Sequence, residues 1–198
     1  MKQLSFKQYR NIDIFMLCLF TAIFEAIATF ATIDWFALQA MAISITLAMV
    51  CIALMRWNGL AVIPALVGSF VYCVVSKATL QQFIVYCGAC LFVLLALLPI
   101  KLLKKDRIRT NFVIRSVFVL ATYLFIVLGR WICSLIFQPS LKSLLVFMTT
   151  DILSLVFAIL VMTVVKNGDG LIEDQKSYLL RLDKERKENQ FANLNDPF

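Results

Sequence analysis

Histidine is missing altogether from the 198 residues. That removes haem ligation by imidazole, most zinc catalysis and the Ser-His-Asp arrangement, all of which need a ring nitrogen that titrates near neutral pH. Charged side chains are scarce, at 16% of the chain, and only 6 glycines and 4 prolines punctuate it. No glycine-rich phosphate loop is found, so the chain carries no signature for hydrolysing ATP itself. A soluble domain needs a polar shell that this composition does not supply.

What is present is length of apolar run. Hydrophobic residues make up 62%, and the mean hydropathy is +0.88. A hydrocarbon core of roughly 30 Å takes about 20 residues of helix. Six segments meet that length or approach it: Ile12–Ile33, Trp35–Met55, Gly59–Ser76, Leu80–Ile100, Phe112–Phe137 and Leu141–Val165. They are apolar on all faces, which implies helices and not the alternating strands of a barrel. The expected fold is therefore all-α, a polytopic membrane protein with six transmembrane helices in a compact bundle. An amino-terminal arm, 1–11, precedes the membrane domain, 12–165, and a charged tail, 166–198, follows it.

Polar breaks separate the runs: Asp34 and Trp35, Arg56-Trp57-Asn58-Gly59, Lys77 to Thr79, the basic stretch Lys101 to Asn111, and Gln138-Pro139-Ser140. Short connections make sequential helices antiparallel neighbours. Of the 19 lysines and arginines, only Lys77, Arg130 and Lys142 fall on the side opposite the termini. The positive-inside rule then places both termini in the cytoplasm, with localisation in the bacterial cytoplasmic membrane. The net charge of +7 reads as topology and attraction to anionic lipid in the bilayer, with no nucleic acid involved.

The 6 cysteines, Cys18, Cys51, Cys73, Cys87, Cys90 and Cys133, all sit inside apolar runs. There a free thiol behaves as a small soft hydrophobe. Cys87 and Cys90 have redox spacing but no companion ligands. Neither a metal nor a cofactor is expected, and neither is catalysis.

Three ionisable residues stand out because they lie within the runs: Glu25, Arg130 and Asp151. A charge at the bilayer centre costs between about 3 and more than 10 kcal/mol, so such a group faces a partner, a cavity or a substrate. At a rise of 1.5 Å per residue all three fall between the membrane centre and its outer surface. Gln39, Tyr72, Gln82 and Tyr86 share that zone, as do Asp34, Trp35, Ser69, Gln81, Thr149 and Thr150. Glu25, Gln39, Tyr72, Gln82, Tyr86, Arg130 and Asp151 are the candidate substrate-binding residues of an outward-facing pocket. The plainer readings stand beside this one. Arg130 with Trp131 also reads as an interfacial anchor, and Glu25 and Asp151 as a protonated acid or as partners of Arg130 that hold the bundle together. Arg115, a turn from the cytoplasmic end, reads as a headgroup anchor.

Helix one carries Ala22 and Ala26, an Ala-xxx-Ala step that permits close helix approach. Six helices in under 200 residues, cytoplasmic ends, this alanine step, a polar outer half, no nucleotide motif and the stretch from Met55 to Ala89 (Met-Arg-Trp-Asn-Gly-Leu-Ala-Val-Ile-Pro-Ala and onward) resemble the substrate-binding S component of an energy-coupling factor vitamin transporter. That resemblance implies binding of a vitamin or related micronutrient from outside. It further implies docking through Ala22 and Ala26 to a membrane T component linked to two ATPase subunits. Glu25, beside the docking alanines, departs from the pattern; about 100° away on the helix, it points into the bundle. A non-catalytic membrane scaffold of a cell-envelope complex, similar in size to the bacterial rod-shape protein, is the alternative. A third reading is a small membrane enzyme or proton-coupled carrier using Glu25 and Asp151. In the tail, the residues up to Lys187 read as a short amphipathic helix or, more plainly, as an unspecific charged extension, and 189–198 as disordered.

Overall fold

The structure, a computed structural model, describes residues 6–35, 42–137, 139–168, 170–182 and 184–185, without the side chains of 34 and 35. Every regular element among them is helical: α1 (Phe6–Trp35), α2 (Thr46–Trp57), α3 (Val62–Val75), α4 (Leu80–Ala89), α5 (Leu97–Leu103), α6 (Lys105–Thr110), α7 (Phe112–Ser134), α8 (Leu141–Thr150) and α9 (Ile152–Val165). A further helical segment covers 175–182. Among the described residues four helical stretches are long and apolar enough to cross a membrane, and the α8–α9 pair, bent by 44°, makes a fifth if counted as one.

Large hydrophobic side chains line the outside, among them Phe15, Ile27, Phe30, Leu91 and Val164. That is the pattern of a membrane-embedded bundle, whose solvent is hydrocarbon. At the centre lies α2, with Ala48, Val50, Cys51, Leu54 and Met55 fully enclosed by contacts from α1, α3, α7 and α9. Around it α1 packs on α3, and α4 on α7.

Thr46–Val75 is one apolar stretch in sequence but folds back on itself. Asn58 leaves the helical region at φ 53°, ψ −123°, and a 3₁₀ turn, Asn58–Ala61, starts the return. The two arms close until Gly68 lies against Thr46, where a Cβ would collide with the threonine side chain. A glycine is needed there to let the backbones approach. Gly129 on α7 does the same service for the ring of Phe92.

Three helices depart from the runs read in the sequence. Within the expected span Trp35–Met55, Trp35 ends α1, residues 42–45 are unwound and helix starts again at Thr46, while 36–41 lie outside the described residues. The fourth run is α-helical to Ala89, then 3₁₀ over Cys90–Ala96, then α5. Pro99 contributes to that change, since it cannot donate to the carbonyl one turn back. The sixth breaks at Asp151 (φ −98°, ψ 9°). Just before the break Thr149 Oγ1 donates to the Leu145 carbonyl at 2.9 Å, a back-bond that bends helices.

The ends of the membrane domain meet at one pole. Arg56 makes a bidentate pair with Asp13 on α1, Nε to Oδ2 at 2.9 Å and Nη2 to Oδ1 at 2.6 Å. Its Nη1 donates to the Gly170 carbonyl at 3.0 Å, and Trp57 Nε1 also donates to Asp13. Gln175, fully buried, donates to the same Gly170 carbonyl at 2.7 Å and accepts from Tyr9 Oη at 3.1 Å. Lys105 pairs with Asp174 at 2.6 Å, and Arg109 with Glu173 at 3.2 Å. With Ile172 also buried in the core, residues 170–182 are part of the bundle. This corrects the reading of that segment as an unspecific extension; 189–198 lie outside the described residues.

Candidate functional site

Unwinding 42–45 leaves backbone donors that hydrocarbon cannot satisfy, at several kcal/mol each. The donors of Ala42, Ser44 and Ile45 find partners on other helices. Glu25 Oε2, from α1, accepts from Ile45 N at 2.8 Å, Thr46 N at 2.9 Å and Thr46 Oγ1 at 2.9 Å. Ile45, at the N-cap, has no side-chain acceptor of its own. Glu25 therefore caps α2 from another helix, with its carboxyl at the end where the helix dipole is positive. Ser44 N donates to Ser154 Oγ at 2.8 Å, and Ala42 N to the Thr150 carbonyl at 3.0 Å.

That last carbonyl is free because the helix breaks at Asp151. Tyr123 Oη takes up a second one, donating to Met148 O at 2.6 Å. The unwound start of α2 and the break between α8 and α9 thus satisfy each other. Asp151 itself turns inward to an ion pair with Arg130 Nη1. The guanidinium carbon of Arg130 lies 4.4 Å above the Tyr86 ring, and that ring is 5.1 Å from Tyr72.

Two adjoining voids occupy this region. One, of about 10 Å³, is lined by Glu25, Ser44, Thr46, Ser69, Tyr72, Tyr86, Arg130 and Asp151. The other, of about 30 Å³, shares five of those residues and adds an apolar side from Leu47, Ala65, Val93 and Ile126. A water molecule needs roughly 10–15 Å³, whereas solute pockets run to roughly 300–1,000 Å³. Where an outward-facing pocket is expected, the described residues leave two small voids. Any larger body bound here has to part the helices around it.

Two of the residues that line this void carry a buried polar atom without a hydrogen-bond partner, Glu25 Oε1 and Arg130 Nε. Such atoms are uncommon in native proteins and point to strain, an absent ligand or water.

Of the residues singled out from sequence, Glu25, Tyr72, Tyr86, Arg130 and Asp151 come together around one void. Gln82 does not. It is exposed and forms a capping box with Thr79, its Oε1 accepting from Thr79 N at 2.8 Å. Gln39 lies outside the described residues, as do the side chains of Asp34 and Trp35. Ser44, Thr46 and Ser154 were hidden because they read as ordinary positions of continuous helices, although Ser154 stands three residues after Asp151 and so shares its face. Ala22 and Ala26 are half-buried on α1, beside the buried stripe of Leu17, Thr21, Glu25 and Thr29.

Arg115 is also misplaced by the sequence reading. It is 1% exposed, not at a headgroup surface, and Nη1 donates to the Met162 carbonyl at 3.3 Å. Its Nε and Nη2 are buried and unpartnered. The cysteines are all free thiols, with Cys51, Cys73 and Cys90 buried, and Cys90 Sγ lies 3.2 Å from Ser69 Oγ.

No protein-family model, curated protein or solved structure matches the chain.

Proposed function

We propose that this chain is a membrane-embedded solute-binding subunit. It takes a vitamin or related micronutrient into the polar void and depends on partners for energy, in the manner of an energy-coupling factor S component. The observation that carries this reading is the convergence of Glu25, Ser69, Tyr86, Arg130 and Asp151, from different helical elements, on one void in an otherwise apolar bundle. A non-helical backbone at membrane depth, as at 42–45 and Asp151, belongs where it lines a cavity or is buried in protein.

In this proposal α1, the 42–57 arm, α3, α4 with α5, α7, and α8 with α9 make six crossings. The pole where Tyr9 meets Gln175 faces the cytoplasm, supported by the basic residues of α5 and α6. The void then lies toward the outer leaflet, Ala22 and Ala26 flank the face offered to a T component, and two ATPase subunits drive uptake. The chain binds and does not catalyse.

Mass spectrometry of the gently purified protein tests this. A bound micronutrient, lost from the Arg130→Met variant, together with a co-purifying ATPase pair, is the expected result. A protein that retains no solute and no ATPase overturns it. The scaffold reading has one observation of its own: the cap on α2 and the Arg130–Asp151 pair each give these charges a purely structural occupation.

A further inference from the structure

With both its carboxyls ionised, the void carries a surplus of negative charge. The titratable and charged side chains that line the two voids are Glu25 from α1, Tyr72 from α3, Tyr86 from α4, Cys90 from the 3₁₀ segment, Tyr123 and Arg130 from α7, and Asp151 from the α8–α9 break. The phenols and the thiol are neutral when protonated, and Arg130 is matched by Asp151. Glu25 is left over. It is fully buried, and no described basic side chain pairs with it.

The start of α2 offsets part of that charge, because a helix N-terminus presents roughly half a positive unit. It does so through Oε2 alone, leaving Oε1 unpartnered. The lining also includes Ser44, Ser69 and Tyr72, whose hydroxyls accept as well as donate, and Arg130, whose Nε is unpartnered. Tyr72 and Tyr86 add ring faces, which attract cations. No group of three or more Cys, Asp or Glu side chains among the described residues is placed to hold a metal ion. The vacancy is therefore suited to a compact nitrogen cation carrying its own N–H donors.

We infer that the solute recognised here carries a protonated amine or similar organic cation, seated against Glu25 Oε1, with a small apolar or aromatic body directed to the Leu47, Ala65, Val93 and Ile126 side. The inference rests on the solute-binding reading and narrows it to a chemical class. An anionic solute meets a surplus carboxylate at this position, and a neutral one leaves the carboxylate uncompensated in low dielectric.

The test uses the full chain in lipid nanodiscs at pH 7 with three matched probes: benzylammonium, benzyl alcohol and benzoate. Calorimetry is expected to show benzylammonium bound at least tenfold tighter than either of the others. Glu25→Gln keeps an acceptor for the α2 cap and is expected to erase that preference while leaving thermal unfolding close to that of the parent. The probe series on the parent protein stands even if the variant fails to fold. Equal or tighter binding of the alcohol or the benzoate, or no binding of benzylammonium at millimolar concentration, overturns the cationic class. A retained micronutrient without a basic nitrogen does so too, and leaves the solute-binding reading intact. Absence of any retained solute removes that reading instead.

Discussion

Arg56 and Arg130 set the same difficulty, a guanidinium inside an apolar bundle, and the molecule meets it in two ways. Arg56 is saturated: a bidentate carboxylate and a backbone carbonyl take up its donors, and Trp57 shares the same acid. Arg130 has one acid and an aromatic ring, and its Nε has nothing. Arg130 lines a void together with Glu25, whose Oε1 is also without a partner. The difference separates a cluster that closes the fold from one with binding capacity in reserve. Planar bidentate pairing gives Arg56 geometric definition. Incomplete satisfaction leaves the other cluster open to a further partner.

The largest expected effect is on the closed cluster. Asp13→Ala strands the Arg56 guanidinium and the Trp57 N–H together, and breaking a buried pair from one side costs about 3–5 kcal/mol. Thermal unfolding in detergent checks it. The void, at the opposite pole, should keep its solute affinity in that variant. A loss of affinity as large as the loss of stability would show that the two clusters are not independent.

The open cluster is probed by removing both charges at once. Arg130→Met with Asp151→Asn replaces a buried ion pair by groups that need less, a change that runs from neutral to about 1–4 kcal/mol stabilising in other proteins. Here solute affinity should fall, with Glu25 still in place, while the melting temperature holds. Arg115 sharpens the point, having neither an acid nor a ring among its described contacts and two unpartnered donors. Arg115→Met should raise stability by about 1–3 kcal/mol, measured by denaturant or heat. Ser154→Ala, which removes the acceptor for Ser44 N, should lower it by about 1–3 kcal/mol.

The smallest effect lies in the docked tail. Burial alone lifts the Asp174 carboxyl, but the hydrogen bond and charge of Lys105, with the backbone N–H groups of Ser177 and Lys176, hold it below the ordinary carboxylate value. A carboxyl depressed in the folded state contributes stability in full above its unfolded pKa, about 3.9, and loses it as pH falls through the folded value. Amide exchange in 170–182, corrected for intrinsic pH dependence, should therefore quicken below about pH 4 before the membrane helices respond. Lys105→Ala should cost under about 1 kcal/mol, as partly exposed pairs do.

Part of this arrangement is legible in the sequence. Thr79-Leu80-Gln81-Gln82 is a capping-box spacing, so the assignment of Gln82 to the cap and not to the pocket was available from four residues. Tyr72, Tyr86, Arg130 and Asp151 were legible as a group because polar residues at similar depth on a hydrophobic background have few places to go. Glu25 was legible as a buried acid but not as a cap, since its partners lie on the stretch that hydropathy presents as one unbroken helix.

By itself the sequence determined the helical, membrane-scale class of the chain and the residues that would be costly to bury. Both follow from properties summed along a single strand of chain: apolar length, and the charge of one side chain. Only the tertiary structure decided where helices stop. Residues 42–45 unwind and the last long run bends because Ser44 meets Ser154 from 110 positions away. Arg56 likewise anchors the tail from 114 positions away at Gly170. Hydrogen-bond satisfaction belongs to pairs, and a pair far apart in sequence exists only once the helices have packed.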